Sequence, residues 1–156
     1  MTNSDVLAAR FEPGFSKDLT YWRVFIGSNR WLRQEVAVWD YGGPYHKELL
    51  RYSARLSRAE MLRLWEIIER IGFQDFKQNY THETMVVTDC PTYWIDVRFG
   101  NRAKEVEAYD LHRLAEYENN PAMVSFLELW DAIHQHTPHG KVPIEAGLPK
   151  PWWRFW

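Results

Sequence analysis

One cysteine, Cys90, stands among 156 residues, so no intramolecular disulfide closes this fold and a reducing compartment suits it. Runs of one charge are missing too. Nineteen basic residues against 21 acidic ones leave a net charge of −2, which excludes the broad positive field that nonspecific nucleic-acid binding needs. No stretch approaches the ~18 consecutive apolar residues of a membrane-spanning helix. The opening residues, Met1 to Phe15, lack the apolar core of a secretory signal. The expectation is a cytoplasmic protein of one domain, long enough to bury a core without staples.

Aromatic residues are what the chain has in excess. They make up 16% of it, nine being tryptophan. Tryptophan is large and carries one polar N–H, so it favours half-buried positions and binding surfaces. A core rich in large side chains accounts for much of the same surplus.

Residues 1–20 show little periodicity and contain Pro13 and Gly14, so they read as an irregular lead-in. Tyr21–Ile26 is aromatic and β-branched, and a Gly-Ser-Asn turn follows. A second strand is expected over Trp31–Trp39, with Val36 and Val38 on one face and Arg33, Glu35 and Ala37 on the other. A third strand is expected over Leu49–Ser53. The helix after Leu56 has the strongest local grammar. Ser57 and Glu60 form a capping box, Leu64, Ile68 and Ile71 form an apolar stripe beside Met61 and Trp65, and Gly72 suits a left-handed cap with Phe73 packing back.

Beyond a connector, three strands are expected: Thr84–Asp89, Thr92–Phe99 and Ala103–Tyr109. In the second, Tyr93, Ile95, Val97 and Phe99 alternate with Trp94, Asp96 and Arg98. Asn120 then caps a helix whose first residue is Pro121, with Met123, Phe126, Leu127, Trp130 and Ile133 along one side. The order of elements predicts an α+β fold, an antiparallel sheet with both helices on one face. The domain spans 1–136, and 137–156 form an extended tail. The uncovered face of such a sheet would carry Trp94, Asp96 and Arg98.

No motif for chemistry stands out. His134, His136 and His139 lie close in sequence, but on a helix the first two point about 200° apart, which does not suit a metal site. At a helix C-terminus such histidines complement the backbone's partial negative charge. Cys90 follows Asp89, whose charge would raise the thiol pKa, the wrong direction for a nucleophile. Glu105 and Glu107 share one strand face, as acids on water-facing strands routinely do. Gly42 and Gly43 lack the lysine and helix start of a phosphate loop. No catalytic residue, metal or cofactor is assigned.

The run Leu56–Glu60, Gly72–Phe76, Tyr80, Thr88, Asp89, Pro91, Thr92, Ile95, Val97, Gly100, Lys104, Val106 and Tyr109 resembles an uncharacterised bacterial domain family of unknown function. The resemblance covers roughly Tyr21 to His136. It implies a small α+β domain and brings no catalytic residues with it.

The end of the sequence, Pro151–Trp156, holds four aromatic rings. Each buries about 150–250 Å² when docked. Half of that, at ~25 cal/mol/Å², returns roughly 8–12 kcal/mol. Ordering six residues costs about 9 kcal/mol. Such a segment needs a surface: the open face of its own sheet, a neighbouring protein, or a membrane interface.

The expected function is a non-enzymatic interaction module that binds another protein, or itself, through Trp94, Arg98 and the tail residues Trp152, Trp153, Arg154, Phe155 and Trp156. The alternative is an enzyme whose site assembles only in three dimensions from Asp89, Cys90, Asp96 and the helix-end histidines. Single-stranded nucleic acid, by stacking, and a membrane surface are the weakest readings, since the charge opposes the first and the second has only two cations near the tail.

Overall fold

The computed structural model describes residues 5–14, 18–40, 47–82 and 90–138, with the backbone alone at 18–21, 38–40, 47–49 and 99. Strands β1 (Asp5–Glu12), β2 (Asp18–Gly27), β3 (Trp31–Asp40) and β4 (Lys47–Arg55) run as successive antiparallel neighbours. Helix α1 (Arg58–Arg70) follows, then β5 (Asn79–Tyr80), β6 (Thr92–Phe99), β7 (Arg102–Tyr109) and α2 (Pro121–His134). In space the sheet is ordered β4-β3-β2-β1-β6-β7-β5. The α+β class is as the sequence predicts. The sheet is mixed rather than wholly antiparallel, because the two-residue β5 pairs parallel to β7.

The lead-in is where the structure overturns expectation. Residues 5–12 are not irregular; they form β1, the central strand, which joins the β2–β4 meander to the β6–β7 hairpin. Leu7, Ala9 and Phe11 point into the core while Ala8 and Arg10 point away, the period-two alternation of a strand. Pro13 and Gly14 lie just beyond this strand and end it. The register shifts between Asp5 and Leu7, and such a bulge reverses the side on which the preceding residue falls. Asp5 therefore lies on the same side as Ala8, where Arg33 Nη2 meets its carboxylate at 2.6 Å.

Helix α1 forms for the reasons its sequence gives. Ser57 Oγ accepts from the Glu60 N–H at 3.1 Å, and Glu60 Oε2 accepts from the Ser57 N–H at 2.6 Å. The bond from the Ser57 backbone holds the Glu60 carboxyl below its ordinary range. Gly72 takes φ +63° after the helix, a conformation open to glycine without strain, and Phe73 behind it is wholly buried. Helix α2 begins where Asn120 Oδ1 accepts from the N–H groups of Ala122 and Met123, with Pro121 in its first turn. Its buried side is Met123, Phe126, Leu129, Trp130 and Ile133, with Leu127 only half-buried. Residues Arg113–Tyr117 add a π-helical turn before it that the sequence reading does not anticipate.

Both helices and the inward residues of the strands share a single core. At one end of it Trp22, Phe11, Tyr93 and Trp130 gather, with the Trp130 ring 4.9 Å from Trp22 and edge-on to Tyr93 at 4.8 Å. Part of the tryptophan surplus is thus internal packing. The expected strand Thr84–Asp89 and the tail fall outside the described residues.

Candidate functional site

The face of the sheet turned away from the helices is ordered by strand register into rows. One row runs Arg51, Glu35, Arg23, Arg10, Trp94, Glu107 across six strands. Cross-strand neighbours on one face stand about 5 Å apart and interact. Glu35 receives Arg23 at 3.4 Å and Arg51 at 3.3 Å. The Arg10 guanidinium lies over the Trp94 ring, 4.7 Å from its centre, and the Trp94 indole N–H donates to Glu107 at 2.8 Å. Cation–π stacking of this kind keeps an arginine extended and presented. Parallel to it runs the row Ser53, Arg33, Phe25, Ala8, Asp96, Glu105.

Ala8 makes the site. In the middle of the second row its methyl group leaves a depression between taller neighbours. The result is a groove of about 680 Å³ lined by Ala8, Arg10, Arg23, Phe25, Gln78, Asp96, Arg98, Ala103, Lys104 and Glu105. Residues from β2, β1, β6 and β7 meet there, together with Gln78 just before β5. Arg10 also reaches Glu105 at 3.4 Å. The Lys104 ammonium donates to the Phe76 carbonyl.

Asp96 and Glu105 face each other across β6 and β7. Burial, then a hydrogen bond and charge repulsion from Glu105, push the Asp96 carboxyl from its ordinary 3.8 up to about 7, against the opposing pull of Arg10. Below about pH 7 the groove therefore holds a carboxylic acid able to donate a hydrogen bond, set among cations.

Of the residues expected to bind, Arg98 lines the groove and Trp94 flanks it through Arg10. Trp152, Trp153, Arg154, Phe155 and Trp156 lie outside the described residues. Arg10, Arg23 and Phe25 are, with Ala8, among the contributors that sequence reasoning missed. The signal for the first was the alternation of Leu7, Ala9 and Phe11; the other two needed the register of β2.

Among the described residues, those weighed for catalysis, Cys90, Asp96, His134 and His136, do not come together. Asp96 opens into the groove, whereas His134 stacks on Trp22 on the opposite, core side of the sheet at 5.5 Å. Burial holds the His134 imidazole below its usual pKa. His136 turns instead to Glu60, at 3.6 Å, and His139 falls outside the described residues, as does Asp89. The Cys90 N–H donates to the Tyr109 hydroxyl at 3.0 Å. Burial and a hydrogen bond to Asp110 push its thiol pKa up, so a thiolate is disfavoured. Nearby, the buried His82 ring bridges Glu118 at 2.5 Å and Asp110 at 3.2 Å, tying the connector to the segment after β7. Among the described residues no three His, Cys, Asp or Glu side chains are placed to hold a metal ion, and no helix is long and apolar enough to cross a membrane. The chain matches no protein-family model and no curated protein.

Proposed function

We propose that this protein is a non-enzymatic interaction module that binds another protein, or a second copy of itself, through the open face of its sheet. The observation that carries the reading is the groove over Ala8, with its arginines Arg10, Arg23 and Arg98 on a face that none of the described helices covers. Arginine and tryptophan are the residue types that most often anchor interfaces. On this face they are displayed on strands, which fix their positions far better than a loop would. The tail, with Trp152, Trp153, Phe155 and Trp156 around Arg154, enters the proposal by its composition as a second adhesive element. A cytoplasmic setting goes with it, on the strength of the single cysteine.

The test compares the wild-type chain with a double variant, Arg10→Ala with Trp94→Ala, and with a chain ending before Pro151. Circular dichroism checks that each is folded. Sedimentation velocity and partner capture from the native host then read self-association and binding. Loss of a partner or of the dimer in the double variant supports the face; an unchanged set of partners and an unchanged mass in both variants overturns the proposal.

A further inference from the structure

The groove is polar and charged, which narrows what it accepts. Three cations, Arg10, Arg23 and Arg98, line it against two carboxyls, Asp96 and Glu105; Lys104, at its edge, pairs with Val97 in the register and gives its ammonium to the Phe76 carbonyl. Two of the ion pairs its arginines make, Arg10 with Glu105 and Arg23 with Glu35, are stretched to 3.4 Å and open to solvent. Pairs of that kind are held weakly and exchange readily for a better anion.

The cations are also spaced in a definite way. Arg10 and Arg23 are direct cross-strand partners and form one pole. Trp94 stands opposite Arg10 on β6, and Arg98 lies four residues further along that strand. At ~3.3 Å per residue the Arg98 pole is therefore about 13 Å from the first, measured along the strand. Asp96 lies midway between them. A single small anion meets one pole only. An extended chain with acidic side chains at positions i and i+4 repeats the same ~13 Å, and a small side chain at i+2, on the same face, falls over Asp96.

We propose that the groove takes an extended acidic segment of a partner protein, with carboxylates four residues apart on the Arg10–Arg23 and Arg98 poles and a small side chain over Asp96. The inference rests on the interaction-module reading and names the chemistry of the partner. The charged groups that share the groove with Asp96 among the described residues are Arg10 from β1, Arg23 from β2, Arg98 from β6 itself and Glu105 from β7, with the Lys104 ammonium turned to the Phe76 carbonyl at its edge. Among the described residues no histidine lines it. The peptide's own glutamates, with an ordinary pKa near 4.3, are ionised throughout the neutral range. The group whose charge changes there is Asp96, held up to about 7. As pH rises through that value a negative charge appears between the two poles and repels the ligand.

The experiment titrates the full chain with a synthetic peptide, acetyl-Glu-Ser-Thr-Ser-Glu-amide, and with its double-glutamine analogue, by calorimetry at pH 6 and pH 8. The expected result is binding of the glutamate peptide, at least tenfold weaker binding of the glutamine one, and a several-fold loss of affinity from pH 6 to pH 8. Arg98→Gln should weaken the glutamate peptide about tenfold, and Asp96→Asn should bind it with no pH dependence. Equal affinity for the two peptides, or none for either, overturns the proposal. Succinate or inorganic phosphate binding as tightly as the peptide overturns it as well, since a small anion is then sufficient. A pH dependence that persists in Asp96→Asn removes Asp96 from the mechanism. Should the peptide fail while Arg10→Ala with Trp94→Ala still abolishes a captured partner, the open face is the interface and only the acidic-segment inference falls.

Discussion

Replacing Asp96 by asparagine should make the protein more stable at pH 8 while leaving it nearly unchanged near pH 4. The carboxyl titrates near 7 in the fold against an ordinary 3.8, driven first by burial and then by Glu105 across the strand pair. A raised carboxyl pKa means that the folded protein holds a proton the unfolded chain has released. Stability from this group is therefore complete below about pH 4 and is lost progressively as pH climbs to about 7. For a carboxyl wholly withdrawn from water the loss would be about 4 kcal/mol. Water reaches this one through the groove, and screening reduces the expected loss to ~2 kcal/mol. Asparagine has the same shape, carries no charge, and can donate to Glu105 as the protonated acid does.

The stability difference between Asp96→Asn and wild type should thus grow by ~2 kcal/mol between pH 4 and pH 8 and then level off. In a domain of this size that corresponds to a midpoint difference of about 4–8 °C at pH 8. Urea unfolding at half-unit pH steps reads the first quantity, and a thermal melt at each end reads the second. The titration of the Asp96 side-chain carbonyl by carbon-13 NMR gives an independent value. Glu105→Gln should move that titration downward, because the charge repulsion is gone and burial alone remains. A stability difference that is flat across the range, with Asp96 titrating near 4, would refute the raised Asp96 pKa and with it the picture of a neutral carboxyl inside an arginine-lined groove.

Two further perturbations test how the fold holds this face in place. Arg33→Gln removes the cation that meets Asp5 at 2.6 Å; with Asp5 2% exposed, urea unfolding should show a loss of ~1–3 kcal/mol from weakening a buried charged hydrogen bond. Ser57→Ala breaks one half of the capping box on α1, and should cost ~1 kcal/mol with no effect on the groove. If Arg33→Gln is as stable as wild type, the bulge at Asp5 does not depend on that ion pair.

What could be read from the sequence was whatever is decided within a few residues. Ser57, Glu60 and Gly72 specify the ends of α1 through bonds three or four residues long, and they hold in the structure as read. The alternation in Thr92–Phe99 is equally local, and it places Trp94, Asp96 and Arg98 on the open face without any knowledge of what lies beside them. Strand β1 was missed because Ala8 and Ala9 blur its pattern and the bulge at its start interrupts it. That one omission hid the site. Ala8 is unremarkable until Phe25 and Asp96 are known to stand on either side of it, and Arg10 is an ordinary surface cation until Trp94 lies under it. Asp96 shows the limit most clearly. In sequence its neighbours are Ile95 and Val97, which say only that it belongs to a strand; the carboxyl that raises its pKa comes from the next strand, and the space it faces comes from the strand on its other side. The chemistry of a sheet face lies in its register, and register across β1, β6 and β7 is set by the packing of the core beneath them. That is why the acidic pair was visible only as Glu105 and Glu107 on one strand, when the pair with chemical consequence is Glu105 with Asp96.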